Sequence, residues 1–180
     1  SDGTVYSTKY KYSFHINGSP YTSMKNANIL STITQKSIAK DGVTLEQLGY
    51  NYEDITKLTM IGYRKVGAED MKDVIWYSNH DFNSLPREVV KNSSEYIVYI
   101  RDLYGNIVAE ILNTRYANVA SALGGQAVID RISKSSQVSY SDMILLNNLR
   151  TTLPEAHVYT YTYRPLIGML SITDPKGCST

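Results

Sequence analysis

Two apolar strand patterns joined by a turn sequence constrain this chain more than any other feature. From Tyr96 to Leu112 the sequence reads YIVYIR, then DLYGN, then IVAEIL. An Asp side chain hydrogen-bonds nearby backbone amides and so starts a turn, and Gly supplies the positive φ that closes it. We therefore predict an antiparallel β-hairpin here, with Asp102 and Gly105 as its turn formers.

The same pattern, an apolar strand followed by Asp, two residues and then Gly or Ser, recurs in the chain. It is found at 81–84 and at 174–177, and Asp102 follows Asp81 by 21 positions. One hairpin is only marginally stable alone, and a period of about 20 is typical of stacked units that bury each other's apolar faces. Coincidence is the alternative, because Asp-x-x-Gly is a common turn string. With the turn at Asp41-Gly42, the predicted turn-forming repeat positions are Asp41, Gly42, Asp81, Asp102, Gly105, Asp174 and Gly177.

Dense Tyr, Thr and Val at a period of two predicts β-strands along much of the remaining chain. The first runs from Thr4 to Phe14, and a short helix follows from about Pro20 to Asn26, with Ser19 as its N-cap. Further strand patterns lie at 29–39, 43–52, 58–66, 74–79, 158–164 and 166–173. Pro165 is expected to break the chain between the last two.

Between residues 114 and 153 the apolar period changes to that of a helix. Thr114–Leu123 and Gly125–Ser133 each carry an apolar stripe. A third helix opens at Ser139, an N-cap residue with an acid three positions later. Three short helices are therefore predicted in this part of the chain.

The predicted fold class is α+β, mainly antiparallel β. Successive β-hairpins form a twisted sheet, and a small helical subdomain is inserted into it. Within one structural unit overall, we expect a β-hairpin region over residues 1–113 and the helical insertion over 114–153. Closing strands over 154–180 are expected to lead into truncated repeats.

Tyrosine is unusually frequent, with 16 residues against 2 Phe and 1 Trp. Tyr suits half-buried pleated surfaces, where the ring packs and the hydroxyl stays in water. Cross-strand Tyr pairs that stabilise the sheet are therefore the favoured interpretation. The alternative is a surface that binds sugar rings or a partner protein. Its residues would be Tyr10, Tyr12, Trp76, Tyr77, Tyr159, Tyr161 and Tyr163.

No motif in the sequence predicts catalysis, cofactor binding or metal binding. His80 and Asp81 are adjacent, and neighbouring residues on a strand point to opposite faces, so Asp81 is interpreted as a turn former. The HExxH and G-x-S-x-G motifs are missing. An acidic loop that includes Glu69 and Asp70 lacks the ordered ligand spacing of a calcium-binding loop.

Charge and composition narrow the function classes further. The formal net charge of +1 argues against a nucleic-acid surface. No apolar run reaches the length of about 18 residues that a transmembrane helix needs. The single cysteine, Cys178, excludes an internal disulfide.

The stretch HVYTYTYRPLIGMLSITDPKG, residues 157–177, resembles a segment of Bacteroidetes RHS/YD-repeat proteins. In those proteins a Tyr-Thr-Tyr strand, a Pro-Leu-x-Gly-Met step and a Thr-Asp-Pro-x-Gly turn lead into the regular repeats. LNTRYANVASALGG and NNLRTTLPEAHVYTYTYRPL are similar to the same region, and TVYSTKYKYSF matches it more loosely. The Gly-Arg and Tyr-Asp pairs of the regular repeat are missing, and the nearest equivalents are Gly105-Asn106 and Arg101-Asp102.

The resemblance implies a degenerate region just upstream of regular repeats in a large protein built of antiparallel hairpins. It implies an extracellular or cell-surface location, the rest of its own longer chain as the partner, and no cofactor. We therefore expect a non-catalytic structural module of an RHS-like repeat protein. The alternative is a glycan- or protein-binding module that uses exposed Tyr and Trp rows.

Overall fold

A computed structural model of the chain describes residues 3–65, 67, 72–164 and 166–180. They are mainly antiparallel β-strands with a few short helices, which confirms the predicted α+β class. The chain forms two compact units: the first contains residues up to 77 and residues 91–93, and the second contains 78–90 and 94–180. Glu69 and Asp70 of the acidic loop, and Pro165 with its predicted break, lie outside the described residues.

The first unit is a meander of antiparallel strands in which each strand pairs with the next along the chain. The strands are β1 (Tyr6–Tyr12), β2 (Ile33–Lys40), β3 (Val43–Tyr52), β4 (Leu58–Lys65) and β5 (Lys72–His80), of which β5 continues into the second unit. A 3₁₀ turn (Ser13–His15) and helix α1 (Tyr21–Asn26) lie between β1 and β2. Pro20, and not the predicted Ser19, is the N-cap of α1, and no side chain caps that helix.

Few large side chains are buried in the first unit. Met24 of α1 is completely buried and Ala39 of β2 nearly so, and they are the buried apolar side chains of its described residues. The strands instead expose aromatic rings, such as Tyr6 and Tyr10, on pleated faces in contact with water. Cross-strand side-chain pairs such as Lys40 over the Tyr6 ring, with the ammonium 5.9 Å from the ring centroid, each add roughly 0.2–1 kcal/mol to the stability of this sheet.

The second unit contains the hairpin predicted from Tyr96 to Leu112. Strand β7 (Glu95–Arg101) pairs antiparallel with β8 (Ile107–Leu112), in a register that joins Arg101 to Ile107 and Ile97 to Leu112. Strand β6 (Pro86–Lys91) precedes them, and β9 (His157–Arg164) and β10 (Gly168–Thr173) complete the antiparallel order.

Three helices lie between β8 and β9. They are α2 (Tyr116–Ala122), α3 (Gln126–Ser133) and α4 (Tyr140–Thr152), close to the predicted bounds. Ser139 is the N-cap of α4 as predicted: its hydroxyl accepts a hydrogen bond from the Asp142 amide at 3.1 Å. The cap satisfies one of the amides that a helix leaves unpaired at its start.

The main hydrophobic cluster lies where these helices cover one face of the strands of the second unit. The sheet contributes alternate residues and the helices contribute residues three or four apart, as the two periods require. Each fully buried large side chain contributes about 1.5–3 kcal/mol. The fully buried members include Val98, Ile100, Ile111 and Val158 from the strands, and Val119, Ile129, Ile132 and Leu146 from the helices.

Two adjacent charged residues of β6 attach the helices to the sheet. The buried Glu88 carboxylate accepts the backbone amide of Tyr116, the first residue of α2, at 3.0 Å. It therefore accepts a hydrogen bond from an amide that the helix itself leaves unpaired at its start, although 28 positions separate the two residues. Glu88 also accepts a hydrogen bond from the Ser78 hydroxyl at 2.8 Å.

Arg87 contacts both α2 and α3. Its guanidinium donates to the Tyr116 hydroxyl at 3.1 Å and to the Asp130 carboxylate at 2.8 Å. Burial disfavours the charged guanidinium, but the contacts with Asp130 and Tyr116 outweigh burial, so the pKa of Arg87 is raised. Removing either partner would deprive the buried guanidinium of a hydrogen-bond acceptor, which is costly.

We predict that Arg87→Met destabilises the second unit by about 2 kcal/mol, because the Tyr116 hydroxyl and the Asp130 carboxylate lose their shared donor. Urea unfolding followed by circular dichroism measures the change. Arg164→Met, at an exposed arginine, is the matched control and is expected to stay within about 0.5 kcal/mol of the parent. Equal stabilities for the two variants would contradict this role of Arg87.

Candidate functional site

The turn at Asp102 is closed by its own side chain. The Oδ1 atom accepts the backbone amides of Tyr104 and Asn106, each at 2.9 Å. The backbone contributes two more bonds, from the Asp102 amide to the Asn106 carbonyl at 3.0 Å and from the Gly105 amide to the Asp102 carbonyl at 3.1 Å. Four hydrogen bonds therefore fix a five-residue loop whose carboxylate is buried.

The turn at Asp81 makes the same four bonds. Its Oδ1 accepts the amides of Asn83 at 2.9 Å and Leu85 at 3.0 Å. The Asp81 amide donates to the Leu85 carbonyl at 2.9 Å, and the Ser84 amide donates to the Asp81 carbonyl at 3.0 Å. Ser84 occupies the place of Gly105 and adopts the same left-handed backbone, with φ of 61° against 83°.

The turn at Asp174 repeats this set a third time. Its Oδ1 accepts the amides of Lys176 at 2.9 Å and Cys178 at 2.8 Å. The Asp174 amide donates to the Cys178 carbonyl and the Gly177 amide donates to the Asp174 carbonyl, both at 3.0 Å. Gly177 has φ of 85°. Three sequence-distant pentapeptides of the second unit thus share one hydrogen-bond pattern, atom for atom.

The predicted repeat position at Asp41-Gly42 does not have this pattern. Both residues have positive φ, 49° and 82°, which is the geometry of a two-residue hairpin turn. The Asp41 carboxylate accepts the amide of Val5 at 2.9 Å, just before strand β1, and not amides further along its own turn. Asp41 and Gly42 therefore form a turn as predicted, but a turn of a different class.

Half-buried arginines hold two of the repeated turns in place. Arg101 donates to the Pro86 carbonyl at 2.6 Å and lies 4.0 Å from the Asp81 carboxylate. Arg150 of α4 donates to the carbonyls of Asp174 at 2.9 Å and Thr173 at 3.0 Å. Burial lowers the pKa of both arginines, and the nearby aspartates oppose that shift. The turns are thus held by charged side chains from other elements.

The predicted ligand surface is divided among three places. In the first unit, Tyr10 and Tyr12 on β1 form an aromatic row with Phe14, in which the Tyr12 and Phe14 rings lie 5.9 Å apart and almost parallel, at 5°. Tyr10 and Phe14 are exposed. This row is a flat aromatic face open to solvent.

Trp76 and Tyr77 are consecutive residues of β5, and consecutive strand residues point to opposite faces. Trp76 is exposed, whereas Tyr77 is half-buried and burial raises the pKa of its hydroxyl. The two rings therefore cannot act as one surface.

On β9, Tyr159, Tyr161 and Tyr163 are all half-buried. Tyr161 and Tyr163 line a groove of about 700 Å³ in the second unit, which we call the tyrosine groove. Tyr104 of the Asp102 turn and Tyr140 at the start of α4 line it too, and both rings are exposed. A volume of this size is typical of small-molecule sites.

The tyrosine groove has an apolar wall and several polar groups. Val138, Met143 and Leu170 contribute the wall. Gln137 and Arg164 bring an amide and a guanidinium to the lining. Aromatic and apolar walls with a few placed polar groups are the usual composition of a ligand site.

Sequence patterns alone did not indicate Tyr104, Tyr140, Gln137 or Leu170 as neighbours. Each belongs to a different element, and only the packing of the helices on the sheet brings them together. One feature of the sequence does indicate an exposed ring. Tyr140 is the first residue after the predicted N-cap Ser139, and it does not lie on the buried face of the helix that follows. A large exposed ring at such a position has no packing role within the helix.

No cluster of the kind that binds a metal ion is found in the described part of the chain. Within residues 3–65, 67, 72–164 and 166–180, no three His, Cys, Asp or Glu side chains converge as metal ligands do. The carboxylates of Asp81, Asp102 and Asp174 accept backbone amides of their own turns. Asp54 likewise accepts the Thr56 amide, which holds its pKa well below the usual range.

Comparison with known proteins gives no relative for this chain: no family model matches it, and no curated protein matches it. Among the described helices, none is long and apolar enough to cross a membrane.

The Tyr161 hydroxyl predicts an alkaline dependence of stability. Burial, together with the hydrogen bond it donates to Glu110 at 3.1 Å, raises its pKa from 10.0 to about 12. Between these values the unfolded state loses the proton and the folded state keeps it, so the free energy of unfolding falls as pH rises through this range. Below it, both states are protonated and the contribution is fully present.

We therefore expect Tyr161→Phe to lose less stability than the parent when urea unfolding at about pH 9 is compared with about pH 11. Tyr6→Phe, at an exposed ring of β1, is the control. An unchanged pH dependence in Tyr161→Phe would show that this hydroxyl does not retain its proton in the folded state.

Proposed function

We propose that this chain is a non-catalytic structural module of a large RHS-like repeat protein, secreted or displayed on the cell surface. The observation that carries the proposal is the triple occurrence of one pentapeptide turn with the same four hydrogen bonds. An enzyme does not need three copies of one turn, whereas an array of hairpins does. The carboxylates of the three turns already accept two backbone amides each. These bonds favour the ionised form and make the carboxylates poorly suited to proton transfer.

Two further features support the scaffold role. The Asp174 turn leads into a return segment that pairs with β10, because the amides and carbonyls of Ile172 and Thr180 bond reciprocally at 3.0 Å. Thr173 pairs with Ser179 there, as Arg101 pairs with Ile107 across the Asp102 turn. The same turn thus opens the same hairpin register at two places. On this proposal, the partner of the module is the rest of its own longer chain.

The proposal predicts that the turns are interchangeable. The triple variant Pro175→Leu, Lys176→Tyr, Cys178→Asn gives the third turn the sequence of the Asp102 turn. We expect its free energy of unfolding to stay within about 1 kcal/mol of the parent, since the Asp and Gly that make the bonds are kept. Asp174→Ala should cost about 1–2 kcal/mol, because two amides lose their acceptor.

Asp174→Asn separates the structural role from a chemical one. The amide oxygen can accept the same two backbone amides, so we expect most of the stability to return. Thermal unfolding of the four proteins provides the comparison. A triple variant that unfolds as readily as Asp174→Ala would refute the idea that the turns are equivalent units.

A second candidate function is binding of a glycan or a partner protein, and the tyrosine groove favours it. Two of the predicted recognition residues, Tyr161 and Tyr163, line a ligand-sized groove with two exposed tyrosines at its edge. An array of immobilised glycans probed with the labelled chain tests this function directly. We expect signals that fall when Tyr140 is replaced by Ala. An array and a protein-binding screen that both give no signal would remove this candidate.

A further inference from the structure

We propose that the tyrosine groove binds a neutral saccharide that carries an N-acetyl group. The proposal rests on the second candidate function, binding, and names the chemistry of its ligand. It does not depend on the scaffold role of the turns.

Two exposed rings provide stacking faces for a sugar. Tyr104 is 68% exposed and Tyr140 is 83% exposed, although both line the groove. Tyr104 is held by the four-bonded Asp102 turn, and Tyr140 begins a helix fixed by the Ser139 cap. Rings on rigid supports lose little entropy when they stack on the apolar C–H face of a pyranose ring.

The polar groups of the groove are available to sugar hydroxyls and an amide. The side chains of Gln137, Tyr163 and Arg164 make no hydrogen bond to any other described residue. They offer an amide, a phenol and a guanidinium, which together donate and accept. These three side chains can therefore exchange water for ligand without breaking a bond within the protein.

The charges in the groove favour a ligand without net charge. Asp102 and Arg164 are the ionic side chains that line it, and their charges are opposite. The Asp102 carboxylate already accepts the amides of Tyr104 and Asn106 and the Asn106 side chain at 2.9 Å. A sugar acid or a sugar amine would meet one attractive and one repulsive charge here, so the lining favours neither sign of charge over a neutral sugar.

The apolar wall accounts for the N-acetyl group. Val138, Met143 and Leu170 line the groove beside the polar groups, and Leu170 is 55% exposed. A sugar with hydroxyls alone would leave this surface in poor contact. The methyl of an acetamido group can cover it, while its N–H and carbonyl meet the free polar side chains.

Three disaccharides that differ only in the group at C2 of each ring test the proposal by titration calorimetry. They are di-N-acetylchitobiose, cellobiose and deacetylated chitobiose, which carry an acetamido group, a hydroxyl and an ammonium on the same β-1,4 backbone. We expect the acetamido form to bind about tenfold more tightly than cellobiose, as one apolar group in a fitted pocket provides. We expect the ammonium form to bind more weakly than either.

Single variants locate the site. Tyr104→Ala and Tyr140→Ala should each weaken binding of di-N-acetylchitobiose about tenfold, and both rings are too exposed for the change to disturb the core. Tyr6→Ala, at a ring 65% exposed on β1, is the matched control and should leave the affinity unchanged. Gln137→Ala should also weaken binding of di-N-acetylchitobiose, because the groove then loses one of its three free polar side chains.

Several results would overturn the proposal. One is equal affinity for the three disaccharides, and another is no heat of binding at concentrations up to about 10 mM. Affinity that survives both groove variants but is lost in Tyr10→Ala would assign the sugar to β1 instead. Preference for an apolar peptide over all three sugars would make the groove a protein-binding site. A glycan array that reports only other sugars would leave the binding function standing and remove this ligand class.

Discussion

One carboxylate oxygen that accepts two backbone amides is the interaction on which the second unit depends. A hairpin loop of five residues leaves several amides without strand partners, and burial makes each of these costly. Asp102 satisfies two of them from within the loop, and its own side chain is buried while it does so. Asp81 and Asp174 solve the same problem with the same atoms.

The helical insertion gives the second unit a core that hairpins alone would lack. Strands β7, β8 and β9 each bury one face, and three short helices supply the opposite layer. Helices of this length are marginal in isolation, so their ends and their charges must be satisfied by the sheet. Glu88 and Arg87, adjacent on β6, do this for α2 and α3. Among its described residues the first unit buries two apolar side chains, Met24 and Ala39, and so has no comparable core.

Local rules could predict much of this fold, and they failed where distant residues meet. The Asp102 hairpin, the Ser139 cap and the three helical segments depend on neighbours a few positions away, so their sequences specify them. The sequence predicts Asp41 as a repeat position because Asp-Gly indicates a turn. The dipeptide does not specify which backbone amides the Asp carboxylate accepts. The cap that Glu88 provides for α2 spans 28 positions and leaves no local pattern. For the same reason, the tyrosine groove could not be predicted from local sequence patterns, because its lining comes from the Asp102 turn, α4 and β9, which are distant in sequence.

The repeated turn also separates residues that fold the chain from residues that are free to vary. Its first position must supply a side-chain oxygen that accepts two amides, and its fourth must tolerate a left-handed backbone. The second and third positions carry no bond of the shared set through their side chains, and they differ completely: Phe82-Asn83, Leu103-Tyr104 and Pro175-Lys176. Phe82 and Tyr104 are well exposed at these positions. A scaffold built from this turn can therefore place new side chains at a groove without altering the bonds that fold it, and Tyr104 in the tyrosine groove is such a case.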